Sequence, residues 1–250
     1  MPETTFPTEV IDLPSKGYLY PEKSPLSSGQ IELKYMTAKD EDILTSQNLI
    51  AKGVVLDVLL DNLIVDKKIK VSDLLIGDKN ALLIAARVLA YGKQYEFEVT
   101  SPVTGEPTTH NLDLTSLKDI SIDFSKMTKG QNEFEFTLPT TDRVIKYKLL
   151  TSGDVDAIEK RAKSLSKISD IDRSLTTRLK HMILEVDGNS ERSVVNNFVD
   201  NEFFAVDSRS FRKYISDNTP DIDLEISIDV DGEEVDITVP MTVQFFWPSS

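Results

Sequence analysis

Hydrophobic positions along this chain switch between two periods, and the switches come in a recurring order. Ile31-Glu-Leu33-Lys-Tyr35 is apolar or aromatic at every second place, the pattern of a strand buried on one face. Thr37 follows, with Asp40 three residues on, the spacing at which a carboxylate meets the exposed N–H groups and positive end of a helix. Ile43, Leu44 and Ile50 then mark a helical face that closes at Gly53. Val54, Val55, Val58, Leu59 and Leu63 mark a second helix, with Asp57 and Asp61 on its other side. Lys67-Lys68-Ile-Lys70 reads as a solvated turn. Gly77-Asp78 opens a third helix, Lys79 to Tyr91, apolar almost all round and stopped by Gly92. Its one interior charge, Arg87, is expected to lay its stem on the core and carry its guanidinium to the surface or to a carboxylate. Tyr95-Glu-Phe97-Glu-Val99 and Asn111 to Leu114 alternate as two strands of a hairpin with Gly105 in the loop.

The same order then returns. Phe134 to Leu138 and Arg143 to Leu149 predict a pair of strands around Pro139, and Thr151 with Asp154 repeats the capping spacing. A helix over 154–168 carries Val155, Ile158, Ala162, Leu165 and Ile168, and another over 174–187 carries Leu175, Leu179, Met182, Ile183 and Val186 before Gly188. Ser190 and Asp207 are placed to cap later helices, the last running Ser208 to Ser216 with Phe211, Tyr214 and Ile215 inward. Leu224 to Ile228 and Val235 to Val239 alternate around Asp231-Gly232, a strong tight-turn signal.

These patterns predict an α+β protein of two related halves, each a strand, several helices and a β-hairpin. The first covers 31–130 and ends in hairpin 95–114; the second covers 131–250 and ends in hairpin 223–247. Thr37, Asp78, Gly105 in one half and Thr151, Asp207, Gly232 in the other are the paired caps and turns. Residues 1–30 hold five of the eleven prolines and read as an extended N-terminal arm. Its Tyr18 and Tyr20 exceed what a linker needs, and are expected either to fold back on the first half or to dock on another subunit.

Composition narrows the chemistry. With 28 basic and 42 acidic residues the net charge is −14, which repels a phosphate backbone, so neither nucleic acid nor an anionic membrane is an expected partner. No apolar run is long enough to span a bilayer, and the first residues lack the basic and apolar regions of a signal peptide, which points to a cytoplasm. The chain has no Cys, which removes disulfides, thiolate chemistry and thiolate metal sites, and no metal or cofactor is expected. The two histidines, His110 and His181, have no neighbouring nucleophile and no metal-ligand spacing. No glycine-rich phosphate loop or hydrolase elbow occurs, so no catalytic residue is named. Asp40-Glu41-Asp42 and Asp229 to Glu234 invite an alternative reading, an acidic small-molecule or cation-binding module, although the second cluster lies between strands and lacks the spacing of a calcium loop. A hydrolase with an unrecognised site is a third class.

Several stretches together resemble the baseplate hub and baseplate assembly proteins of T4-like tailed bacteriophages. They are Leu13-Pro-Ser-Lys-Gly-Tyr-Leu-Tyr-Pro21, Ile31 to Leu44, Gly77 to Gly92, Asp207-Ser-Arg-Ser-Phe-Arg-Lys-Tyr-Ile215, and the ending Val239 to Pro248. The resemblance implies a non-enzymatic tail protein, a component or an assembly factor (chaperone) of the baseplate hub. It implies other phage tail and baseplate proteins as partners, and a place in the host cytoplasm during assembly and in the virion baseplate. Members of that family often carry Cys-x-x-Cys-Gly at their hairpin tips; here those places read Ser101-Pro-Val-Thr-Gly105 and Ile228-Asp-Val-Asp-Gly232.

The chain ends on Phe245-Phe246-Trp247-Pro248. In a strand, successive side chains alternate faces, so three adjacent aromatics cannot all enter one core. Phe246 is expected to face outward. Phe245, Phe246 and Trp247, with Tyr18 and Tyr20, are the candidate partner-binding residues, unless a helix of the same chain covers them.

Overall fold

The computed structural model describes residues 7–165 and 171–246. Ile168, Trp247 and Pro248, named above, lie outside these residues, as does the side chain of Leu165. Thr8–Asp12 (β1) pairs antiparallel with Gln30–Lys34 (β2), with Ile11 opposite Ile31. The expectation of an extended arm over the first 30 residues is therefore corrected. Pro7 and Pro14 flank an edge strand, where the missing N–H of proline interrupts no ladder, and Leu13, Leu19, Tyr20 and Leu26 beyond it are buried.

From β2 the chain passes through Thr37 into Ala38–Leu44 (α1), then Gln47–Lys52 (α2) and Val55–Leu63 (α3). A break at Thr45-Ser46 separates the first two, so Leu44 is buried while Ile50 is not. Just past α3, Ile64 bridges Leu33 and the Val65 N–H donates to the Glu32 carbonyl at 3.0 Å, so β2 is flanked on both sides. Ile76–Tyr91 (α4) begins three residues before Lys79, with Leu75 at its N-cap. Gln94–Thr100 (β3) and Pro107–Asp113 (β4) form the first hairpin, and Gly105 in its loop has φ +77°.

In the second half Phe134–Thr137 (β5) pairs with Val144–Tyr147 (β6), followed by Ser152–Leu165 (α5) and Ser174–Met182 (α6). The helix expected to reach 187 stops at Met182. Ile183–Val186 (β7) is instead a strand on the free edge of β6, giving a sheet of order β5-β6-β7. A short apolar run with Ile and Val fits either period, and the open edge of β6 decided it. Arg192–Asn197 (α7) runs into a π-helical turn Phe198–Glu202, then Ala205–Asn218 (α8), Glu225–Val230 (β8) and Glu233–Thr238 (β9) complete the order. Glu191 rather than Ser190 holds the N-cap of α7, and Asp207 lies inside the first turn of α8 rather than before it.

Leu33, Leu59, Leu82, Ile145, Phe198, Phe211 and Phe245 belong to one buried cluster, so the interior is continuous across residue 130. No helix among the described residues is long and apolar enough to cross a membrane.

Candidate functional site

Two buried carboxylates anchor corresponding turns. Asp78, in the first turn of α4, accepts the Ser15 N–H at 2.9 Å, the Ser15 hydroxyl at 2.7 Å and the Tyr20 hydroxyl at 2.5 Å. Asp207, in the first turn of α8, accepts the Thr140 N–H at 2.8 Å and the Thr141 hydroxyl at 2.9 Å. Each receiving turn directly follows a strand, β1 in one case and β5 in the other, and reads Leu-Pro-hydroxyl: Leu13-Pro14-Ser15 and Leu138-Pro139-Thr140. Both leucines are buried. Neither Asp caps its own helix, as the spacing had suggested; each ties the helix start to a distant turn. Burial raises the Asp78 carboxyl, partly offset by the Tyr20 and Ser15 donors, and pushes the Tyr20 phenol far up beside it.

The threonines mark a second correspondence. Thr37 donates its N–H and hydroxyl to Asp40, each at 2.8 Å, and Thr151 donates the same groups to Asp154 at 3.1 and 3.2 Å. Three residues before each Thr stands a lysine facing that Asp: Lys34 is 4.0 Å from Asp40 and Lys148 is 2.8 Å from Asp154. The parallel continues through α3 and α6, which are followed by Ile64 and Ile183 on the free side of β2 and β6. After each hairpin the chain returns alike: the Leu114 N–H donates to Lys93 and the Val239 N–H to Leu224, both at 2.9 Å.

The halves meet where these pieces converge. Leu75 bridges Thr151, the Ser152 N–H donates to the Leu74 carbonyl at 2.8 Å, and the Lys79 ammonium lies between Asp57 and the Ser152 hydroxyl. Beyond the first hairpin, Ile120 and Lys118 pair with Asp221 and Asp223 of the second half. Beyond the second, Val243–Phe246 turns back onto α4 of the first. At the hairpin tips, where the resemblance places cysteines, the Ser101 hydroxyl donates to Asp231 at 2.5 Å and accepts the Val103 and Thr104 N–H groups at 3.2 Å. A cavity of about 370 Å³ remains at the junction, lined by Leu75, Ile120, Leu150, Leu179 and Ile215 with Arg178 and Arg212. Desolvation lowers the Arg178 pKa.

The candidate partner-binding aromatics are placed as follows. Tyr18 is half-buried, its ring 5.3 Å from that of Phe124, and its hydroxyl reaches the Met127 carbonyl at 3.4 Å. Tyr20 is buried on Asp78 and accepts the Leu75 N–H at 2.8 Å. Phe245 and Phe246 are both 0 % exposed, which corrects the expectation that Phe246 faces outward. The alternation argument assumed a strand; the segment is a 3₁₀ turn, whose tighter rise brings both rings inside, perpendicular at 5.6 Å. Phe245 also lies 5.0 Å from Tyr95, and its carbonyl accepts Arg87 Nε at 3.0 Å. Arg87 accordingly does not reach the surface or a carboxylate. The residue is 2 % exposed, and its guanidinium donates to the carbonyls of Phe245, Gly92 and Gln94. The π-helical turn carries no signal in the periodicity; Ser190 signalled the start of α7 to within a residue, and the unusual Arg inside an apolar helix pointed to the clamp.

His110 Nε2 lies 2.8 Å from the Thr108 hydroxyl and His181 Nδ1 lies 3.0 Å from the Thr177 carbonyl, so each is engaged locally on its own element. Among the described residues no group of three or more His, Cys, Asp or Glu is arranged to hold a metal ion.

Against known families, the one described as T4 bacteriophage base plate protein matches residues 17–247 of the chain. No curated protein and no solved structure matches it.

Proposed function

Because the chain belongs to the T4 bacteriophage base plate protein family, we propose that it is a non-enzymatic component or assembly factor of the baseplate hub. The observation that carries this reading is the extent of the match. It runs from Gly17 in the turn held by Asp78 to Trp247 beyond the buried Phe246, so it spans both halves and both hairpins. A structural part is supported by Asp78 and Asp207, whose carboxylates join one segment to a distant one. Its partners are other tail and baseplate proteins, met in the host cytoplasm during assembly; as a component, and not as an assembly factor, it would stay in the virion baseplate. Its net charge of −14 opposes a nucleic-acid partner.

The direct test is affinity capture of the full chain with the other tail proteins of its phage co-expressed. Recovery of a hub protein in fixed proportion is the expected result. Capture of none, together with a thermal shift on adding a cation or metabolite, would overturn the reading in favour of a small-ligand module.

A further inference from the structure

The cavity at the junction has a floor and a rim of different character. Leu75, at the start of α4 in the first half, lines it together with Leu150, Leu179 and Met182 of the second, and all four are buried. Arg178 of α6 and Arg212 of α8 also line it, and both are exposed, so they stand at the opening. A volume of about 370 Å³ falls among those of small-molecule sites, roughly 300–1,000 Å³, which are likewise mostly apolar with a few polar groups that fix orientation.

The two guanidiniums lack anions in a chain that carries 42 acidic residues against 28 basic ones. Among the described residues Arg178 makes no hydrogen bond and no ion pair, and the packing around it lowers its pKa, because a cation drawn from water with no anion beside it is disfavoured. Arg212 makes no ion pair either; its Nε donates to the Ser208 carbonyl of its own helix at 3.4 Å. The one carboxylate of the lining, Asp221, is engaged elsewhere: its oxygens accept from Asn80 Nδ2 at 3.1 and 3.3 Å and from the Ile222 N–H at 2.7 Å.

We propose that this cavity binds a small amphipathic carboxylate, its apolar body on the floor of Leu75, Leu150, Leu179 and Met182 and its carboxylate at the rim, on Arg178 and Arg212. An apolar body of about ten carbons suits the volume. A guanidinium presents parallel N–H groups that match the two oxygens of a carboxylate, so the rim selects for that anion. A cationic ligand meets two like charges, and a neutral one buries its apolar body but leaves both guanidiniums unpaired. Elsewhere on the surface the net charge of −14 opposes an anion, which confines binding to this rim. Because the lining comes from both halves, a bound ligand braces α4 against α6 and α8 and stabilises the folded chain. The site is independent of the assembly role and serves a component and an assembly factor alike.

Sodium decanoate is the probe, titrated into the full chain by calorimetry. One molecule should bind per chain and raise the melting temperature, and decanol, with the same tail and no charge, should bind about tenfold more weakly. Arg178→Gln and Arg212→Gln should each weaken decanoate about tenfold, bringing it down towards decanol, with an unchanged circular dichroism spectrum. No binding of decanoate at millimolar concentration, equal binding of decanoate and decanol, or a decanoate affinity unmoved in the R178Q/R212Q variant would overturn the proposal. So would capture of a co-expressed tail protein by the wild-type chain, lost in R178Q/R212Q, when decanoate binds neither, since the cavity would then seat a partner's side chain.

Discussion

Asp78 receives the backbone N–H of Ser15 at 2.9 Å across a separation of 63 residues, and so fixes the start of the apolar helix α4 to the turn that follows the first strand. Its counterpart Asp207 does the same for Thr140, yet the two carboxylates titrate in opposite directions. Burial raises Asp78 above the ordinary 3.8, against the Tyr20 and Ser15 donors. At Asp207 burial also pushes upward, but the Thr140 and Thr141 donors outweigh it and hold the carboxyl below 3.8.

The folded chain therefore keeps the Asp78 proton more tightly than the unfolded chain does. Its contribution to stability is full below pH 3.8 and declines as pH rises through the folded value. For Asp207 the contribution is present above 3.8 and is lost as pH falls through the folded value. Urea unfolding from about pH 3 to 7 should show the deficit of Asp78→Asn shrinking as pH rises and that of Asp207→Asn shrinking as pH falls. Parallel pH profiles for the two variants would contradict this assignment.

Truncation at Asp78 leaves the Ser15 N–H, the Ser15 hydroxyl and the Tyr20 hydroxyl without their acceptor in the interior. Asp78→Ala should cost about 3 kcal/mol at neutral pH, read from the urea midpoint, whereas Tyr20→Phe should cost about 1 kcal/mol.

Thr37→Ala and Thr151→Ala each remove one hydroxyl from a helix-start pair and leave the backbone bond to Asp40 or Asp154 in place. Each should cost about 1 kcal/mol, and the double variant about the sum, since the two sites share no partner. A much smaller loss would mean these threonines do not stabilise the helix starts.

How far these arrangements could be read in advance depends on whether the cause was local. The hairpin at Asp231-Gly232 and the caps at Thr37 and Thr151 follow from residues a few positions apart, and their geometry is as the spacing requires. The strand β7 was hidden because Ile183 and Val186 suit helix and strand equally, and the unpaired edge of β6, distant in sequence, made the choice. The edge strand β1 was hidden behind its prolines. Phe246 was misplaced because the argument took a strand for granted where a 3₁₀ turn forms. At the junction, the partners of Asp78, Arg87 and Leu75 lie 63, 158 and 76 residues away, beyond any periodicity.

The C-terminal turn is part of the interior rather than a loose end. Phe245→Ala should cost about 3–5 kcal/mol. Arg87→Lys, which replaces a planar fork facing the carbonyls of Phe245, Gly92 and Gln94 by one ammonium, should cost about 2 kcal/mol. In both variants limited proteolysis should cut after Val239 sooner than in wild type. Removing residues 245–250 should accordingly destabilise the fold, seen as a lower melting temperature by circular dichroism; a truncated chain as stable as the whole would contradict the burial of Phe245 and Phe246.

The proposed role in the baseplate is tested most directly in the phage itself. Interrupting the coding sequence of this chain and examining lysates by electron microscopy should show tails without complete baseplates, restored when the intact chain is supplied from a plasmid. Complete baseplates in normal number without the chain would contradict the account.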